Sequence, residues 1–433
     1  MTVKVYGKQI FKRLIPILFS FVFCQAAVAA PIELTLEDSI DLALKSHADI
    51  KVAESSREKA YWAVNQAKGS HGLDVSITHT DKHYSSPVTI AGRYSENKFD
   101  TQLSLSYPLY SGGKLESQID QAKLNLEVAD LNIIAAKQQL KQNVTTYYFN
   151  VLQYQKELRV SQETVDNYTA HLNNVRSQYE IGTVAKSDVL ASQVELANAQ
   201  DTLIQAQNNV QLSVAKLNNA VGLPLDSELK LKEDLQYEKY SLNLDDCVQY
   251  ALVNRPEIAE YQAKIASAEA DVKIANSAKL PTVDLTLGQD WYDRDFPGLN
   301  NSNWQVGLTA SMNIFDSGVN KAKVKQSQYS VATVREEARQ QRETILLEVR
   351  ETYLSMREAE KRIDTKKVAV EQAEESLKIA EARYRAGVGT NLAVFDAVVA
   401  INQAKINSIK ALYDYNTSKA QLNKAMGTAI HKK

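Results

Sequence analysis

The sequence predicts an α+β membrane protein of two structural repeats. Long coiled-coil helices carry four transmembrane β-strands per chain, and the strands close into a barrel only by joining copies of the chain. Three observations predict this. The second half of the chain repeats the first. Between Lys114 and Ile181 a heptad pattern runs for 68 residues without Gly or Pro. Four shorter runs alternate apolar and polar side chains with a period of 2.

The repeat appears as self-similarity at a nearly fixed shift. At a shift of 208, Leu34, Leu36, Glu37, Asp38, Ile40 and Ala43 fall on Leu242, Leu244, Asp245, Asp246, Val248 and Ala251. From the strands onward the shift is 205: Gly113 falls on Gly318, Tyr179 on Tyr384 and Gly182 on Gly387. One copy therefore holds a loop three residues longer. The expected division is a signal peptide at 1–29, a first repeat at 30–221, a linker at 222–243 and a second repeat at 244–433.

The chain opens on a secretory signal. Lys4, Lys8, Lys12 and Arg13 precede an apolar run from Leu14 to Cys24, and Ala27-Val28-Ala29 fits the cleavage rule, so the mature start is placed at Ala30. Phe23 before Cys24 does not fit a lipid-attachment box. Loss of the signal takes the formal charge from −2 to −6. No clustered basic face is present, which argues against a nucleic-acid partner. Cys247 is then the only cysteine, so no intrachain disulfide forms. No later stretch is apolar for the 18 or so residues of a spanning helix, so entry into a membrane requires β-strands.

Each copy begins with a helix, expected over about 37–68 and 245–278, with Asp38 and Asp246 favouring its dipole in the first turn. The period then changes to 2. Leu73, Val75 and Ile77 form one alternate set, and Phe99, Thr101, Leu103, Leu105, Tyr107 and Leu109 the next. The second copy has Val283, Leu285 and Leu287, then Trp304, Val306, Leu308, Ala310, Met312 and Ile314. The lengths suit tilted strands crossing a bilayer. Tyr84, Tyr107, Tyr110, Trp291, Trp304 and Phe315 lie near the run ends, as interface girdles do. A half-buried sheet in a soluble domain is the competing reading, but the long helices leave little to bury it. Loops are expected at Ser85–Asn97 and Asp293–Asn303, facing outside the cell.

The long helices follow. The first has Leu115, Ile119, Ala122, Leu126, Ala129, Ile133, Ala136 and Leu140 at heptad steps, turns at Gly182, and returns over Ser187–Val221. The second runs from about Gly318 to Ala386, turns at Gly387 and Gly389, and returns over about Asn391–Met426. The two shorter helices of a copy, laid end to end, match the long one. All ends then lie level, with the turns at one pole and the strands at the other. Open strand edges are not tolerated in lipid. Two chains would give eight strands, whose interior is filled by side chains, and three would give twelve and a lumen. The polar face of Gln102, Ser104, Thr286, Thr309 and Ser311 suits a lumen, and threefold symmetry is the simplest closure.

On these features the chain resembles the outer-membrane efflux proteins of the TolC family, from about Ala30 to Gly427. Two turn motifs carry the resemblance: Tyr179-Glu180-Ile181-Gly182 with Ser187-Asp188-Val189, and Tyr384 through Gly387-Val388-Gly389-Thr390-Asn391-Leu392. The strand-to-helix junctions Pro108–Gly113 and Asn313–Gly318 add to it. The resemblance implies a homotrimer whose β-barrel, set in outer-membrane lipid, continues into an α-helical coiled-coil barrel across the periplasm. It implies a passive, gated exit duct that docks on a periplasmic adaptor (membrane fusion) protein fed by an inner-membrane transporter, for efflux or type I secretion. The implied docking tip is Gly182, Val184, Ala185, Lys186, Ser187, Gly387, Val388, Gly389, Thr390, Asn391 and Leu392. The implied constriction is Asp188, Asp396 and Tyr384. Carboxylate rings select cations, although each Asp also suits an ordinary helix N-terminus. Ala393 and Gly389 stand where family members carry Asp and Arg, which leaves resting closure to packing and hydrogen bonds.

The rival reading is a periplasmic or surface coiled-coil spacer without a pore, which has no use for four amphipathic strands. His79, Asp81 and His83 share a strand face, which admits a metal site or simply a strand leaving the membrane. No nucleophile–base pair or phosphate loop appears, so neither an enzyme nor a cofactor is expected, and energy must come from a partner.

Overall fold

The computed structural model describes residues 31–429. The expected signal peptide and the start at Ala30 lie outside the described residues. The chain runs β1 (Ile32–Leu34), α1 (Leu36–Ser46), α2 (Ala48–Gly69), β2 (Asp74–Ile90), β3 (Arg93–Tyr110), α3 (Lys114–Glu180) and α4 (Lys186–Val221). The same series follows as β4 (Leu229–Leu231), α5 (Leu244–Asn254), α6 (Pro256–Ser277), β5 (Thr282–Asp293), β6 (Asn301–Ser311), α7 (Val319–Arg385) and α8 (Asn391–Ala425).

Helices α3 and α7 have 67 residues each, about 100 Å at 1.5 Å per residue. Both start at a left-handed glycine, Gly113 at φ 80° and Gly318 at φ 89°. Helix α2 lies along the start of α3, where Arg57 pairs with Asp130. Helix α1 and the end of α4 meet the middle of α3 in a core of Ile40, Ala43, Val144, Tyr148, Leu217 and Val221. A second core of Cys247, Ile345, Met356, Tyr415 and Leu422 sits at the middle of α7. A third lies near the helical turns, around Val175, Tyr384, Val394 and Val398.

The expected single opening helices are each broken in two. His47 ends α1 and caps α2, its backbone extended at ψ 137° and its ring accepting from the Asp49 N–H. At the matching point Arg255 precedes Pro256, which bars the helical conformation at Arg255 and starts α6. Arg255 is 4% exposed. It donates to Glu257 and Glu348 and to the carbonyls of Lys424 and Ala425, so it ties the break to the end of α8.

The four long strands form one antiparallel sheet in the order β2-β3-β5-β6. Its two edges, β2 and β6, have no partner among the described residues. Register keeps the two faces chemically distinct. Val75, Leu105, Leu287 and Val306 form one apolar row across all four strands. The alternate face carries Thr78, Gln102, Asp290 and Asn303 in one row. The first hairpin corrects the expected loop at Ser85–Asn97. The strands continue through it, past a bulge between His83 and Val88 that accommodates Pro87, to a turn at Ala91 and Gly92, both at positive φ. The second loop spans 294–300 and folds back on the apolar face, the Phe296 ring lying edge-on to Phe99 at 5.7 Å. Strand β6 ends at Ser311, short of the expected Ile314, because its neighbour β5 starts only after Pro281.

The segment expected as an irregular linker contains β4, which pairs in parallel with β1. It wraps the helices at mid-height. Asp234 pairs with Lys156 of α3, Tyr237 donates to Glu360 of α7, and the Glu238 carbonyl accepts from Tyr415 of α8. No described helix is long and apolar enough to cross a membrane.

Arg255→Met should lower the thermal midpoint of the helical circular-dichroism signal of the detergent-extracted protein. The expected loss is about 2 kcal/mol, because the half-buried Glu257 carboxylate and the carbonyls of Lys424 and Ala425 lose their donor, while Glu348 keeps Lys424.

Candidate functional site: the turn pole of the helices

At the pole opposite the sheet, α3 turns into α4 and α7 into α8 by the same device. The Gly182 N–H donates to the Tyr179 carbonyl and the Thr183 N–H to that of Gln178, both at 2.9 Å. Gly387 and Val388 repeat this to Tyr384 and Arg383, both at 3.0 Å. These paired bonds satisfy the orphan carbonyls of a helix end and need a left-handed residue, met by Gly182 at φ 78° and Gly387 at φ 75°. A side chain at either would meet nothing within 4 Å, so the requirement is one of backbone conformation alone. Gly389 is needed for space: a Cβ there would lie 2.9 Å from the Tyr384 nitrogen. Helix α4 starts at Ala185 without a side-chain cap, with Asp188 in its first turn. Helix α8 is capped by Thr390, whose hydroxyl accepts from the Ala393 N–H at 3.2 Å.

Asn391, the first residue of α8, joins three helices. Its carboxamide nitrogen donates to the Asp188 carbonyl at 3.2 Å and lies 3.4 Å from the Ser192 hydroxyl, both on α4. Its oxygen meets Nε2 of His171 on α3 at 2.6 Å. Because the nitrogen faces a carbonyl, the oxygen must accept and His171 must donate. His171 is 6% exposed and Asn391 8%. The imidazole packs against the rings of Tyr384 at 5.0 Å and Phe395 at 5.6 Å. Burial holds the His171 pKa below the ordinary histidine value, against the opposing effects of the Asn391 bond and the Glu381 charge. The Tyr384 hydroxyl is buried with no hydrogen-bond partner. Its pKa is raised by burial and then by the nearby Asp188 charge. Burial, with Glu195 and Asp396 nearby, pushes Tyr168 up to about 12.

Of the residues singled out in the sequence, Asp188, Tyr384 and Asn391 come together here. Asp396 lies apart, on the exposed face of α8 with Leu392 and Val399. Val184 packs on the apolar core below, while Ala185, Lys186 and Ser187 are exposed. Val388 and Leu392 stand out at 68% and 64% exposure. His171 was not among the expected residues. In the sequence it stands three residues after Tyr168 and four before Val175, next to the heptad position Leu172. Far away in the first hairpin, Nε2 of His79 lies 2.9 Å from Asp81, and Nδ1 of His83 lies 2.8 Å from Asn97. No cluster of three metal-ligating side chains occurs among the described residues.

The sequence family described as outer membrane efflux protein matches this chain twice, over residues 39–223 and 247–428. The chain belongs to that family. Outer membrane protein TolC of Escherichia coli (strain K12) is 24% identical over 434 residues, spanning 96% of this chain and 87% of TolC. The pyoverdine export outer membrane protein OpmQ of Pseudomonas putida is 26% identical, over 77% of this chain and 71% of its own. The fold matches CusC with a TM-score of 0.79 at 19% identity, over 91% of this chain and 92% of CusC. It matches the Campylobacter jejuni CmeC outer membrane channel with a TM-score of 0.80 at 18% identity, over 90% of this chain and 85% of CmeC. Like other outer membrane efflux proteins, this one is a transport protein of the outer membrane and not an enzyme.

The two kinds of turn glycine should separate in a tryptic digest. Gly182→Ala costs about 1 kcal/mol of backbone strain and is expected to leave the turn resistant. Gly389→Ala must push the backbone at Arg383 and Tyr384 aside and should speed cleavage after Arg383 and Arg385 by about tenfold.

Proposed function

We propose that this chain forms the exit duct of a tripartite efflux or type I secretion system, a passive channel through the outer membrane and periplasm. The observation that carries this reading is the four-stranded sheet, apolar on one face and polar on the other, with two unpaired edges, set on helices about 100 Å long. In lipid the edges need partners, and the partner that fits both is another copy of the chain. Three copies give a twelve-stranded barrel with the polar face inward. The helices carry matching edges. Along α7, Tyr329, Leu347, Leu354, Val368 and Ile379 are exposed and fall near whole helical turns of one another. Along α4, Leu190, Val194, Ile204 and Leu212 form a second exposed stripe. Helices α3 and α8 lie between these two edges, so the stripes can meet only across a boundary between chains. A head-to-tail contact of this kind closes into a ring. Residues 30–221 and 244–433 then serve as the two repeats of each protomer, bound at mid-height by 222–243.

The turn pole is the periplasmic tip. Its exposed Val388 and Leu392, with residues 182–187 and the glycine turn at 387–389, offer the surface on which a periplasmic adaptor, coupled to an inner-membrane transporter, would dock. The Asp188 and Asp396 carboxylates, each repeated three times around the axis, set the constriction, with Tyr384 buried behind them as support rather than as lining, and selection at this ring favours cations.

Planar-bilayer recording of the purified protein tests this. Cation-selective single channels are expected, and Asp396→Ala should raise conductance or reduce the preference for cations. A protein that never conducts contradicts the duct. Conductance and selectivity unmoved by the substitution remove Asp396 from the constriction.

A further inference from the structure

We infer that His171, acting through Asn391, positions the tip in its closed state and that protonation of this imidazole releases it. The inference rests on the duct reading above and concerns which residue controls its narrow end.

The argument starts from which helices can part. Helices α3 and α4 are tied by the turn at Gly182, and α7 and α8 by the turn at Gly387. Neither pair can separate at the pole without losing its turn. Widening within a protomer must therefore occur at the seam between the two pairs, where α8 lies against α3 and α4. Near the tip the hydrogen bonds that cross this seam converge on one side chain. Asn391 reaches Asp188 and Ser192 on α4 and His171 on α3. The next polar tie along the seam is Lys405 with Glu163, more than two helical turns away.

The three bonds are interdependent. The Asn391 amide can serve Asp188 and Ser192 only with its nitrogen turned to α4, which leaves its oxygen to be met by a donor from α3. Neutral His171 with the proton on Nε2 supplies that donor. Its Nδ1 then carries no proton, and the ring as a whole packs against Tyr384 and Phe395. A second proton would put a positive charge on a ring that is only 6% exposed. The charged or titratable groups facing the ring are few: Glu381 and Tyr384 from α7, and Asp188 beyond Asn391 from α4. Helix α8 presents only Asn391 and Phe395. Glu381 partly offsets an imidazolium, but burial has the larger effect and favours the neutral ring. Tyr384 adds to the tension. Its hydroxyl is buried in the same place without a partner, and parting of the seam would admit water to it.

The sign follows from linkage. With this seam intact, burial keeps the His171 pKa below the ordinary histidine value, so an arrangement that parts the seam and solvates the ring binds the proton more tightly. Closure is fully maintained above the ordinary histidine value near 6.5 and weakens as the pH falls below it. Each unit of difference between the two pKa values changes the open-to-closed ratio by about tenfold.

The test is open probability in planar bilayers, measured from about pH 7.5 to about pH 5.0 for the full-length protein, His171→Gln and Asn391→Leu. Glutamine keeps a donor for Asn391 and does not titrate at these pH values. The unaltered protein should open more often as the pH falls. His171→Gln should stay closed across the range, and Asn391→Leu should be open at both ends of it. The acidic groups of the tip remain in all three proteins, so their own titration cancels in the comparison. A His171→Gln channel that keeps the pH response of the unaltered protein overturns the inference while leaving the duct intact, as does an unaltered channel indifferent to pH. Absence of channels at every pH overturns the duct reading and this inference with it.

Discussion

Everything in this molecule depends on the unpaired backbone of strands β2 and β6. A sheet of four strands leaves a row of N–H and C=O groups along each edge, and within hydrocarbon each such group costs several kcal/mol. The chain cannot satisfy them alone, because its strands are too few to curl shut. On the duct reading proposed above, assembly is a condition of membrane residence rather than an addition to it. The same condition reaches down the helices. The α7 and α4 stripes are apolar but uncovered in one protomer. In the proposed assembly, one contact between neighbours would answer both the hydrogen-bond demand of the sheet edges and the hydrophobic demand of the helices.

The other pole obeys different physics. Here the chain must turn sharply and repeatedly, and it uses left-handed glycine at Gly182 and Gly387, with close backbone approach at Gly389. Below the turns the packing is polar at its centre. His171, Asn391, Ser192 and the Asp188 carbonyl form a buried set whose bonds cross between the two halves of the chain. A purely apolar seam would be stronger and less specific. A seam with one hydrogen-bonded hub has a defined register.

The parts of this fold that rest on period were legible in the sequence. The boundaries of α3 and α7 follow from a heptad run with no breaker and a glycine at each end. The sheet faces follow from alternation, and register then places Val75, Leu105, Leu287 and Val306 in one row. What was not legible rests on single residues whose role is tertiary. Pro256 announces the break before α6, but the matching break at His47 has no proline and depends on a ring capping the next helix. Ser85, Ser86 and Pro87 read as loop, yet pairing with β3 carries the strand past them. Strand β4 is three residues long and exists only because β1 lies beside it. At the tip, Asp188, Tyr384 and Asn391 were visible through their turn motifs. His171 was not, because a histidine on a long helix declares itself only when the partner arriving from 220 residues away is known.

The most direct test of this account is the protein mass of the detergent-extracted mature chain, measured by light scattering with the detergent contribution subtracted. The account predicts a stable trimer, because only added copies supply partners for β2 and β6. A monomer or dimer that persists across detergents would contradict it, since the edges would then be satisfied in some way that the sheet and the helical stripes do not provide.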